Sequence, residues 1–285
     1  MGVWLAAGLV SHQWWLQLGC FILSAYLMAQ LNNIHSLIRI YSRMVSCTFL
    51  TLMCSACFLF PSTEGALMQT CFIGGLLVLF ATYQDKESMG VMYYAYLLIG
   101  LASLAFVHIL FFLPLLWLLT ATMLQSLTWR TWCASVLGLL TPYWVALCWL
   151  TIQGDFTLFT AHFAALAEFP APVLTRSLTP GQMAATALVA SMFLTGTIHI
   201  IRQYHDDRIK TRLLYSFLVW TALFTLVLMA LQPQHYDCLM RILIVCTAPL
   251  MGHFLALTST KATQAAFFLY LGATLLITGY NLWTS

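Results

Sequence analysis

Charge is scarce in this chain and confined to short gaps between long apolar runs. Eleven Lys and Arg and eight Asp and Glu are the only formally charged side chains among 285 residues. Nearly all lie between uninterrupted apolar stretches of about 17–20 residues. That is the length a helix needs to cross the roughly 30 Å hydrocarbon core of a bilayer. Lipid offers no water to the backbone, so a crossing segment must be a helix or part of a closed barrel. A barrel strand alternates residue by residue over about ten positions. The run 66-ALMQTCFIGGLLVLFATY-83 is continuous instead, so helices are predicted. A hydrophobic share of 62%, a charged share of 7% and a mean hydropathy of +0.90 exclude an ordinary soluble domain. No basic tract and no Gly-rich phosphate loop is present, so no nucleic-acid partner is expected; membrane lipids are.

The predicted fold is an all-α polytopic transmembrane bundle, a single integral membrane domain over 1–285. The apolar runs place spans near 13–31, 44–60, 66–83, 91–125, 132–151, 182–201, 213–231, 239–257 and 265–283. The run 91–125 would make about 52 Å of helix, too long for one upright crossing and short for two. Gly100, Ser103, His108 and Pro114 lie within it. A broken or re-entrant pair near 91–106 and 108–125 fits, and the total is nine or ten segments.

Orientation follows from the basic residues of the short loops. With 32–43 on the cytoplasmic side, and 91–125 returning to its starting face, nine of the eleven basic residues share that side. They are Arg39, Arg43, Lys86, Arg130, Arg202, Arg208, Lys210, Arg212 and Lys261. Glu64, Asp155, Glu168 and Asp237 fall opposite, with Arg176 and Arg241. This is the pattern of an inner-membrane topology.

Three further segments shape the expectation. The N-terminal stretch 2-GVWLAAGLV-10 is half the length of a span and has no basic flank, so it reads as an interfacial helix or the remnant of a longer one rather than a signal peptide. Segment 152–181 is the one long loop, predicted outside. Its part 155-DFTLFTAHFAALAEF-169 carries Phe156, Phe159, Phe163, Leu166 and Phe169 in an amphipathic stripe suited to a membrane surface, ended by Pro170 and Pro172. Trp14, Trp15, Trp129, Trp132, Trp144, Trp149 and Trp283 near span ends read as an aromatic belt, so no cofactor is called for. The nine cysteines, Cys54-x-x-Cys57 among them, lie in or beside apolar runs and read as packing residues.

Stretches 25-AYLMAQLNNIHSLIRIYSR-43, 97-LLIGLASLAFVHILFFLPLLWLL-119, 129-WRTWCASVLGLLTPYW-144 and 199-HIIRQYHDDRIKTR-212 resemble a family of bacterial multi-span inner-membrane proteins defined only as a domain of unknown function. The layout is more weakly similar to the GT-C class of multi-span glycosyltransferases, which use polyprenyl-phosphate-linked sugars. Segments 96-YLLIGLASLAF-106 and 233-PQHYDCLMRILIVCTAPL-250 carry that likeness. It implies a lipid-linked glycan as substrate and a role in the cell envelope. The chain departs from the class in having no Asp or Glu before Glu64, where an acid of the first outer loop serves the reaction.

The richest constellation is 235-HYDCLMR-241 at the outer mouth. Asp237 and Arg241 are spaced to share a helix face. Arg241 could grip a phosphate, with Asp237 as base or tether and His235 as proton shuttle; a capping acid with a snorkelling Arg is the plainer alternative. His108, inside the broken pair, is a polar group at membrane depth. On the cytoplasmic side His35, Arg39 and Arg43 are spaced by four and would form one basic helix face for lipid head groups or anchoring. His199, His205, Asp206 and Asp207 match no metal-site spacing, so no metal is expected. Acidic residues are missing from the span cores and no duplicated half is visible, which argues against a secondary transporter. A lipid-linked-glycan protein and a scaffold for other envelope membrane proteins remain.

Overall fold

The computed structural model describes residues 2–40, 42–154, 156–167, 178–203, 207–257 and 261–284. Side chains at 158 and 262 are excepted. It is 86% helix, with no strand among the described residues. The helices are α1 (Gly2–Ala6), α2 (Leu9–His12), α3 (Trp15–His35), α4 (Met44–Ser55), α5 (Thr63–Ala81), α6 (Met89–Ala105), α7 (Leu113–Leu119), α8 (Trp129–Gln153), α9 (Thr157–Ala167), α10 (Pro180–Arg202), α11 (Ile209–Leu231), α12 (Tyr236–Ala256) and α13 (Lys261–Thr284).

Among the described residues, seven helical segments are long and apolar enough to cross a membrane. They are Thr63–Phe80, Val107–Leu124, Trp129–Gln153, Pro180–Arg202, Ile209–Leu231, Pro233–Ala256 and Thr263–Thr284. Seven is fewer than the nine or ten read from the sequence. Helices α4 (12 residues) and α6 (17 residues) are apolar but short, and α3 is diluted by Gln17, Gln30, Asn32 and Asn33.

Helix α12 is the axis of the bundle. It packs against α4, α5, α10 and α11, and 89% of its span window is buried. Every residue from Leu239 to Phe254 is buried, and all but Arg241, Thr247 and His253 are apolar, as a position surrounded by other helices requires. Lipid tails are as apolar as Leu, so close packing rather than hydrophobicity must hold helices together here. Glycine supplies that closeness. A Cβ on Gly138 of α8 would lie 2.3 Å from the Tyr93 carbonyl of α6, and one on Gly252 of α12 would lie 3.0 Å from the Val45 backbone of α4. Helices α8 and α13 sit at the periphery, with 22% and 11% of their windows buried.

The run 91–125 breaks at Phe106, which adopts an extended conformation (φ −144°, ψ 97°). A 3₁₀ segment Val107–Phe112 follows, then α7 with Pro114 in its first turn, then a π turn Thr120–Leu124. The far end of this hairpin returns to its start: Gln84 N donates to Leu124 O at 2.8 Å, and Thr82 and Ser126 share a hydroxyl bond of 3.0 Å.

The shared basic face of His35, Arg39 and Arg43 does not form. Helix α3 stops at His35, because Ser36 turns left-handed (φ 51°) and Asn32 competes for the backbone. The Asn32 side chain accepts from Ile38 N at 3.2 Å and donates to Ser42 O at 2.9 Å. His35 is buried and donates to Leu77 O at 2.9 Å, whereas Arg39 and Arg43 are exposed.

Candidate functional site

At one end of the bundle the break in the helix pair meets the turn before α12. His108, in the 3₁₀ segment after α6, and His235, in the 3₁₀ turn Pro233–His235, bring their ring centroids to 3.8 Å. Phe106 lies 5.3 Å from His108 and 5.4 Å from His235, and Phe111 lies 5.9 Å from His108. Gln234 Nε2 approaches His235 Nε2 at 3.1 Å. Deeper in the same hairpin, Ser103 and Tyr143 of α8 share a buried hydrogen bond of 2.7 Å. Helix α9 packs on segment 107–112 and sets His162 and Phe163 beside Tyr143, at 6.1 and 5.3 Å. Burial pushes the His162 imidazole below its ordinary value, and a hydrogen bond to the Ser103 backbone opposes this. The stripe position Phe156 is exposed; Asp155, Phe169, Pro170 and Pro172 lie outside the described residues.

The sequence-predicted quartet therefore divides. His108 and His235 meet. Asp237 stands half-buried in the first turn of α12, where the helix dipole favours an acid. Arg241, one turn deeper, is only 3% exposed. Its guanidinium donates to Gln69 Oε1 at 3.1 Å, to the Leu59 carbonyl and to the Ser62 carbonyl at 3.5 Å. It also lies flat across Gly65, where a Cβ would come within 2.6 Å of Arg241 Nε. Gln17 and Asn281 serve the same turn, donating to Thr63 Oγ1 (2.8 Å) and Ser55 O (2.7 Å), and Trp4 of α1 stacks on Phe60 at 3.9 Å. Arg241 is thus a fastener of the α4–α5 turn in this arrangement.

The opposite end carries a polar centre that periodicity did not single out. The Asp207 side chain is 1% exposed. Its carboxylate lies 3.0 Å from Arg39 Nε and 3.3 Å from His253 Nε2. His253 is fully buried, 5.0 Å from the Tyr215 ring and 5.5 Å from the His199 ring. Tyr215 Oη donates to Leu37 O at 3.3 Å. His205 and Asp206 lie outside the described residues. Among the described residues no three His, Cys, Asp or Glu converge to hold a metal ion. The sequence signal for this centre is the pair of acids amid four bases in 202–212, which reads more readily as a solvated turn between spans.

No family model, no curated protein and no solved structure matches the chain.

Proposed function

We propose that this chain is a multi-pass protein of the bacterial inner membrane, crossing ten times, that binds a lipid-linked, phosphate-bearing glycan at its outer face in support of the cell envelope. The ten crossings add α3, α4 and α6 to the seven longer segments. Support comes from the pairing of helix ends. Residues assigned outside touch one another: His108 with His235, Asn281 with Ser55, Tyr236 with Thr186 (2.7 Å). Residues assigned inside do likewise: Arg39 with Asp207, Thr82 with Ser126, Lys210 with the Tyr83 ring (5.7 Å).

The observation that carries the binding reading is the close approach of the His108 and His235 rings, tilted by 37° and flanked by Phe106 and Phe111. Aromatic faces suit the apolar faces of sugar rings, and imidazoles suit hydroxyl and phosphate oxygens. The commitment of Arg241 to backbone carbonyls removes the guanidinium clamp a transferase reading would use, which favours binding over catalysis and leaves the GT-C likeness as one of layout. The test is native mass spectrometry of the full chain extracted gently from its own membrane. A polyprenyl-phosphate species should accompany the wild type and be lost in His108→Ala and His235→Ala. Bulk phospholipid alone, unchanged by either substitution, overturns the reading. It would favour a scaffold for other membrane proteins, which the exposed faces of α8 and α13 would suit.

A further inference from the structure

The polar centre at the inner end opens into a recess of about 690 Å³. Asn32, Asn33, Ser36, Arg39, Arg208 and Thr211 line it, with Ile38 and Ile40 at its edge. Two guanidiniums border this space, and no acidic side chain lines it among the described residues. Hydrogen bonds and an ion pair tie its rim to the bundle. Asn32 ties Ile38 and Ser42, Tyr215 ties Leu37, and Asp207 ties Arg39. Asp207 engages the Nε edge of Arg39, whose side chain stays 44% exposed. Arg208 is the exposed N-cap of α11 and makes no capping bond of its own, and Thr211 belongs to the first turn of that helix. The positive end of the helix dipole therefore adds to the two arginines.

We propose that this recess is a binding site for a phosphate-bearing anion, gripped by Arg39 and Arg208. A guanidinium matches phosphate oxygens in a bidentate fork. The volume lies in the range of small-molecule sites, enough for a phosphate with a head-group- or sugar-sized attachment. Topological anchoring alone leaves the arrangement unexplained. An exposed Arg satisfies the positive-inside rule without a partner, whereas burying the Asp207 carboxylate at the membrane edge is costly. Asp207, braced by His253, acts as a positioning residue that presents Arg39 to the recess. The site is independent of the outer histidine cluster. The phosphate has two sources: a phospholipid head group or a soluble phosphorylated compound.

The experiment uses the purified full chain in a non-ionic detergent and two probes. Phosphatidic acid is followed by native mass spectrometry and inorganic pyrophosphate by calorimetry. Wild type is compared with Arg208→Gln, which leaves the Arg39–Asp207–His253 centre intact, and with Lys261→Gln, a neutralised exposed base on the same face. One-to-one binding of at least one probe is expected, weakened about tenfold or more by Arg208→Gln and unchanged by Lys261→Gln. Binding of phosphatidic acid alone identifies a lipid head group; binding of pyrophosphate identifies a soluble phosphate compound. The proposal is overturned if neither probe binds, if Arg208→Gln binds like wild type, or if Lys261→Gln weakens binding equally, as diffuse surface charge would.

Discussion

Arg241 carries its charge into the bundle without reaching a surface ligand. Its guanidinium is held by the Gln69 amide and by the Leu59 and Ser62 carbonyls. Truncation would strand those acceptors out of reach of water, at a cost of about 1–3 kcal/mol for each left unmade. Arg241→Ala is therefore expected to lower the thermal denaturation midpoint of the purified protein by several degrees, and Arg241→Lys by less. A ligand-gripping arginine would behave oppositely, leaving the midpoint unchanged while binding is lost. Nothing in the sequence announces this role, because the partners are backbone carbonyls of a turn far earlier in the chain. The same applies to His108 and His235. His108 stands out as a polar group inside the broken pair and His235 as a proton shuttle beside Asp237 and Arg241, but only the fold brings their rings to 3.8 Å. Arg39 was read on a helix face that Ser36 and Asn32 abolish, and its real partner, Asp207, lies in another loop.

Elements were more legible than contacts. Apolar runs, separated by charge and by Pro and Gly, locate most helices, since a crossing segment leaves few alternatives to hydrogen bonding within itself. The break in 91–125 follows from its length together with Gly100, Ser103, His108 and Pro114 inside it. Less legible was the depth of α12, whose largely apolar character is shared by segments that face lipid. The amphipathic stripe of 155–169 marked a helix but not its docking against segment 107–112 through Tyr143. That docking should depend on pH. The His162 imidazole is depressed by burial, so the undocked helix binds a proton more readily than the docked one. Docking is complete above the ordinary histidine value of about 6.5 and weakens as pH falls below it, until the docked imidazole is itself protonated. Hydrogen exchange across 157–167, corrected for intrinsic rates, should rise between pH 7 and pH 5 in the wild type. It should stay flat in His162→Gln; a rise of equal size in both assigns the change to another group.

On the scale of the whole molecule, the two ends of the bundle differ in character. One holds the Asp207 centre and the 690 Å³ recess, and the charge pattern assigns nine basic residues to it. The other gathers the His108–His235 pair, α9 and the α4–α5 turn fastened by Arg241, Gln17 and Asn281. Both proposed sites depend on which face meets the cytoplasm. The most direct test is a pair of topology reporters, fused at residue 87 and at residue 165 of the full chain, each active on one side of the membrane only. A cytoplasmic signal at 87 and an external signal at 165 are the predicted result. A cytoplasmic signal at 165 would contradict the threading and both sites built on it.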